Sequence, residues 1–245
     1  MSTQLNKYIA VCKEQEEAVT KHELKDCIID GLVKFERRFG EVPVKMVIYR
    51  DGVSISQQRL IHYGEIPDIQ SGIDEAIKII IEKRKQQNEA APEKKQKKTE
   101  IEKPKICFIV ANKSSATRYF KKDDRGIQSV LPGTYVSDSI LELSEGKTND
   151  FYLVSQIARK GAPIPTHYHI VFNEFEKESK EKIIQLTYRL CYLYFHINAG
   201  IKVPAPVQYA ERLGTLLGEI NNSRGDDSFV LPGKRFSDKP SLFFI

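Results

Sequence analysis

Apolar positions along the chain follow two rhythms, and each rhythm predicts its own elements. Residues 8–13 alternate weakly and predict a strand. Thr20, with Glu23 three residues on, forms a capping box, and Leu24, Cys27, Ile28, Gly31, Leu32 and Phe35 then recur at helical spacing. Gly40 and Pro43 stop that helix. Residues 44–49 form an apolar run rich in β-branched side chains, which reads as a strand buried on both faces. Strand, helix and strand in that order imply a crossover unit within a mixed sheet. Residues 57–70 read as a loop, and a second helix is expected over about 71–85, with Ile73, Ile77, Ile80 and Ile81 on its apolar face. Residues 106–111 are apolar throughout and predict a second buried strand. Further strands are expected at 135–136, 151–155 and 167–172, and helices at 183–195 and 207–220.

Two stretches break both rhythms. Residues 84–104 are dense in Lys, Gln and Glu, and a segment with so few apolar groups cannot offset its ordering entropy, so a disordered insertion is expected there. Its rival reading is a basic arm touching phosphates, a contact that salt would screen. Residues 221–239 are polar and loop-like, after which the chain closes on Leu242-Phe243-Phe244-Ile245, an apolar end expected to dock against the domain.

Composition narrows the class. The 245 residues are 40% hydrophobic, enough for a real core, and a net charge of +5 is too mild to argue for nucleic acid alone. Cys12, Cys27, Cys107 and Cys191 lie in apolar segments without zinc spacing and read as reduced core residues. No run is long enough to span a membrane and no signal-peptide core opens the chain, so the cytoplasm or nucleus is expected.

The stretch with most chemical promise is Met46-Val47-Ile48-Tyr49-Arg50-Asp51-Gly52-Val53-Ser54. It sets a carboxylate where a strand ends and a turn begins, the place where open α/β sheets hold ligands and metals. The plainer alternative is an Asp-Gly turn whose carboxylate bonds its own backbone. His167 and His169 share one face of a strand and could form a metal pair or a structural element.

Tyr49-Arg50-Asp51-Gly52-Val53-Ser54 resembles the central motif of the Piwi domain of Argonaute and Piwi proteins. Five later blocks resemble the same domain in the same order: Pro132-Gly133-Thr134, Asp150-Phe151-Tyr152-Leu153-Val154-Ser155-Gln156, Pro165-Thr166-His167-Tyr168-His169, Leu186-Thr187-Tyr188-Arg189-Leu190-Cys191, and Val203-Pro204-Ala205-Pro206-Val207-Gln208-Tyr209-Ala210. The wording Gln208-Tyr209, with Leu216, is closer to the Piwi branch. The resemblance implies an α/β fold with a ribonuclease-H-like mixed sheet flanked by helices. It covers 1–245 as a truncated Piwi domain whose first two strands have no counterpart here.

Active members of that family cut RNA with two divalent ions, Mg or Mn, held by two Asp, a loop Glu and a fourth Asp or His. Asp51 matches the second Asp and is the expected metal ligand. The first Asp lies on an absent strand. The loop Glu falls in register with Val19, and Glu16 or Glu17 reaches it with a small gap. Glu211 stands at the fourth position. For guide RNA, the resemblance points to Arg118 as a phosphate contact, Tyr194 and Gln208 against the guide backbone, and the Ile245 carboxylate at the guide's 5′ end. Lys202 could add charge nearby. The implied function is binding of a small guide RNA and its target in RNA-mediated silencing, without slicing by this chain alone. Two alternatives stay open. One is a guide-directed RNA endonuclease whose missing Asp comes from upstream sequence or another chain. The other is a protein-interaction module of a silencing complex. A further chain or segment supplying the missing strands and the Mid domain is an expected partner.

Overall fold

A computed structural model describes residues 23–52, 60–89, 98–124, 126–137, 149–158, 160–175 and 180–224. The strand expected at 8–13, the Thr20 cap, Glu17 and Ile245 lie outside them. The chain divides into two compact units, one of residues 1–46, 57–105 and 216–245, the other of 47–56 and 106–215.

The first unit is built on a helix pair. Helix α1 (Glu23–Phe39) ends where the Gly40 N–H donates to the Glu36 carbonyl at 2.7 Å. Residues 61–65, expected as loop, instead form a π-helical turn that runs into α2 (Ile66–Glu89). Pro67 has no N–H to continue a helical ladder and reads as a stop in sequence, but it falls directly after the π-helical turn, where the ladder changes its bonding pattern. Ile66, Ile69, Gly72, Ile73, Ala76, Ile80 and Arg84 form its buried stripe. At Gly72 the helices touch: a Cβ there would stand 2.8 Å from the Lys25 carbonyl oxygen and 3.1 Å from Ile28 Cβ. Glycine is the residue that lets the backbones approach this closely.

Arg84 corrects the expected start of the insertion. It is buried, and its guanidinium donates to Glu36 Oε1 at 3.0 Å, the Lys98 carbonyl at 2.7 Å and the Gly40 carbonyl at 3.0 Å. A buried cation needs such partners, so residue 84 belongs to the core of this unit and α2 continues to Glu89. The expected insertion is therefore narrower, and residues 90–97 lie outside the described residues.

The second unit carries the sheet, in the order β1-β2-β7-β6-β5. Its strands are β1 (Lys45–Asp51), β2 (Lys105–Asn112), β5 (Tyr135–Val136), β6 (Asp150–Leu153) and β7 (Thr166–Asn173). The Lys105 N–H donates to the Val44 carbonyl at one end and the Gly52 N–H to the Ala111 carbonyl at the other, so β1 and β2 run parallel. The remaining pairs are antiparallel, which makes the sheet mixed, as expected. Strand β2 is buried on both faces. Strand β1 is not: it is half-buried and lies at the sheet edge among the described residues. An apolar run alone does not separate a central strand from an edge strand whose side chains pack on one side.

Two helices complete this unit. Helix α3 (Lys180–Leu190) lays Ile183 and Ile184 against Cys107, Ile109, Phe151, Leu153, Tyr168 and Ile170 of the sheet. It ends at Leu190, short of the expected 195. The N–H groups of Tyr192 and Leu193 turn back to the carbonyls three residues earlier, and Ile201 donates to the Cys191 carbonyl. Helix α4 begins at Ala205 and runs to Arg224. A small exposed hairpin, β3 (Phe120–Asp123) and β4 (Gly126–Ser129), forms a separate sheet that the apolar pattern gave no sign of.

Candidate functional site

Parallel pairing puts the carboxyl ends of β1 and β2 side by side. Asp51 ends β1, and Gly52 leaves it with φ +71°, in the left-handed region that favours glycine. Lys113 follows β2 directly. Its ammonium lies 2.8 Å from Asp51 Oδ2 and 2.9 Å from Glu211 Oε1. Gln208 Nε2 donates to the other Glu211 oxygen at 3.1 Å. Burial works against the Lys113 charge, but the hydrogen bonds to Asp51 and Glu211 outweigh it and raise the lysine's pKa. Among the described residues, Asp51 Oδ1 is buried without a hydrogen-bond partner. An unpaired buried oxygen of this kind costs about 1–3 kcal/mol.

The two expected metal ligands, Asp51 and Glu211, are thus brought together, but around a lysine. Both supply hard oxygen donors, and the orphaned Asp51 oxygen could accept a cation. The ammonium holds the remaining bridging lone pairs, and a divalent ion beside it would be repelled. Among the described residues no group of three or more His, Cys, Asp or Glu could hold a metal. The described residues therefore do not fit the divalent centre that the motifs imply, and Glu17 lies outside them.

Cations gather beside this cluster. Lys202 Nζ donates to the Lys113 carbonyl. Burial, then the nearby charges of Arg118 and Lys113, lowers the Lys202 pKa. Arg118 is exposed, its Nη1 bonded to the Ser115 carbonyl at 2.9 Å and the Thr117 carbonyl at 2.7 Å. Tyr194 is buried, packed on Tyr209 and His196, and its hydroxyl accepts from Arg212 Nη1 at 2.8 Å. Gln208, half-buried, is spent in part on Glu211. Lys113 is the residue that sequence reasoning missed. In sequence it is only a lysine just past a buried strand, and its role follows from the parallel pairing of β1 and β2.

His167 and His169 meet a carboxylate instead of forming a pair by themselves. Antiparallel pairing sets Asp150 opposite His169. Asp150 Oδ1 lies 2.5 Å from His169 Nδ1 and 3.3 Å from His167 Nε2. Burial raises the Asp150 carboxyl, but the hydrogen bonds from His167 and His169 overcome it and hold the group well below the usual carboxylate range. An ionised carboxylate only accepts, so each facing ring nitrogen carries a proton. Tyr152 stacks on His167 with ring centroids 4.5 Å apart.

A parallel edge pair within a mixed sheet, with helices packed on it and a carboxylate at the strand end, defines the class as a mixed α/β protein. The sequence profile of the Piwi domain matches residues 1–222, and the chain belongs to that family. It is 31% identical over 207 residues to the Piwi-like protein Ago3 of Bombyx mori, covering 84% of this chain and 20% of that protein. It is 34% identical over 191 residues to Protein piwi of Drosophila melanogaster, covering 78% of this chain and 20% of that protein. Its fold matches Kluyveromyces polysporus Argonaute, solved with a guide RNA, at a TM-score of 0.68 and 22% identity, covering 94% of this chain and 27% of the other. The chain thus spans about a fifth of the length of the curated relatives it matches. Among the described residues no helix is long and apolar enough to cross a membrane.

Proposed function

We propose that this chain binds a small guide RNA, and the target RNA paired to it, for RNA-mediated silencing in the cytoplasm or nucleus, without cutting RNA by its own described carboxylates. The observation that carries the reading is the gathering of Arg118 and Lys202 at the loop after β2. The Lys202 ammonium bonds the Lys113 carbonyl, and the Arg118 guanidinium bonds the Ser115 and Thr117 carbonyls of the same loop. The exposed Arg118 guanidinium and the part-buried Lys202 ammonium suit phosphate oxygens and read no sequence. A structural neighbour was solved with a guide RNA, which supports the same ligand here. Tyr194, expected against the guide backbone, is buried with its hydroxyl bonded by Arg212. A Mid domain, from a neighbouring segment or chain, completes the pocket for the guide's end, where Ile245 would contribute its carboxylate. The absence of slicing rests on Lys113, which holds Asp51 and Glu211 together.

Filter binding of a 5′-phosphorylated single-stranded RNA across a salt series tests the reading. Wild type should bind with a negative salt slope. Arg118→Ala and Lys202→Ala should each weaken binding and flatten the slope by about 1. Wild-type affinity and slope in both variants would discard the surface and favour a protein-interaction module.

A further inference from the structure

We propose that Lys113 is the resident cation of the Asp51 site: its ammonium occupies the place of a divalent ion between Asp51 and Glu211 and keeps such ions out. The geometry is specific. One nitrogen makes short contacts, 2.8 Å and 2.9 Å, to carboxylates from two different elements, the end of β1 and the start of α4. Divalent magnesium would need the same lone pairs at about 2.0–2.1 Å. Ammonium and metal cannot both use them.

The surroundings hold Lys113 in place. Its backbone carbonyl is bonded by Lys202 Nζ, which fixes the base of the side chain. Gln208 fixes the far oxygen of Glu211. Within the cluster, two carboxylates face one ammonium and leave one negative charge, which the nearby Lys202 and Arg118 offset. Each of these features disfavours a second cation. The remaining vacancy in the bonding is Asp51 Oδ1, buried and without a partner. If the ammonium were removed, Asp51 and Glu211 would present three oxygens without a donor, one of them already desolvated.

The proposal predicts that divalent-ion affinity is suppressed by Lys113 and restored by removing its charge. The probe is Mn²⁺ alone, titrated into the full 245-residue chain and read by the electron paramagnetic resonance of the free ion. Lys113→Met keeps the length of the stem and deletes the charge. It should bind Mn²⁺ at least tenfold more tightly than wild type, and Lys113→Met with Asp51→Asn should lose that gain. Lys113→Arg keeps the charge and should behave like wild type. Equal affinity in wild type and Lys113→Met overturns the proposal. So does a gain that persists after Asp51→Asn, or tight wild-type binding that Asp51→Asn abolishes. If circular dichroism shows Lys113→Met unfolded, Lys113→Gln is read in its place by the same criteria. No RNA enters the measurement, so its outcome is separable from that of the guide-binding test.

Discussion

Two carboxylates in the sheet unit, Asp51 and Asp150, both meet nitrogen cations or donors, yet they are built in opposite ways. Asp150 lies within an antiparallel pair, and two imidazoles from the facing strand converge on a single oxygen. Asp51 stands at the open end of a parallel pair, shares one ammonium with a carboxylate from a distant helix, and keeps an unpaired oxygen. The first is a well-satisfied cross-strand fastening. The second is a site whose bonding is incomplete. Proteins hold groups in unsatisfied states where function requires it and satisfy them elsewhere. The comparison therefore sets a satisfied carboxylate against one with bonding to spare.

Breaking Asp150 should have the largest effect. Asp150→Ala removes the shared acceptor of His167 and His169 and leaves two partly buried ring donors facing each other. A loss of about 1.5–3 kcal/mol of unfolding free energy is expected, because charge-assisted hydrogen bonds are at stake. Urea unfolding of the variant measures it. A loss under about 0.5 kcal/mol would mean that water replaces the carboxylate freely and that this cluster is ordinary surface.

Acid titration sharpens the same contrast with a smaller effect. The folded Asp150 pKa lies below its ordinary value of 3.8. Its contribution to stability is therefore complete above the ordinary value and is lost as pH falls through the folded pKa. Wild type should lose unfolding free energy progressively below about pH 4–5, and Asp150→Asn should show a shallower decline over that range. Identical acid slopes would remove Asp150 from the stabilising groups.

The sequence made some of this legible and hid the rest for physical reasons. Asp51 at a strand end, the doubly buried β2 and the long helices follow from local rhythm, because burial and helical spacing are written within a dozen residues. The domain family was carried by ordered motifs, and the Piwi-domain match over residues 1–222 bears it out. Lys113 was invisible because its importance depends on β1 and β2 running parallel, a fact that resides in the pairing of residues about 60 positions apart. Asp150 escaped notice as the partner of His167 and His169 for the same reason, since only the antiparallel register aligns them. Edge or centre is likewise a property of the sheet, so the apolar run of β1 suggested more burial than the strand has. Arg84 read as linker because a charged residue among Lys and Gln gives no sign that Glu36 and two carbonyls await it.

The smallest expected effect belongs to Asp51, and it bears most on the comparison. Asp51→Asn cancels one charge of the bridge to Lys113, and a partly exposed ion pair of this kind contributes only about 0–1 kcal/mol. Lys113 keeps Glu211, so its ammonium stays paired. At the same time the substitution relieves a cost. The Asp51 oxygen that is buried without a donor belongs to an ionised group, and a neutral amide is cheaper to bury. The two terms oppose each other, so the net change in unfolding free energy should stay within about 0.5 kcal/mol of zero, the range of substitutions that touch no critical contact. Urea unfolding in parallel with Asp150→Ala reads both from the same baseline. A loss above about 1.5 kcal/mol for Asp51→Asn would place it with Asp150 as a fold-holding carboxylate and dissolve the distinction between the two sites. Near-neutrality, with a large loss at Asp150, would mean that the fold tolerates changes at the β1 terminus, as expected of a position retained for what it binds.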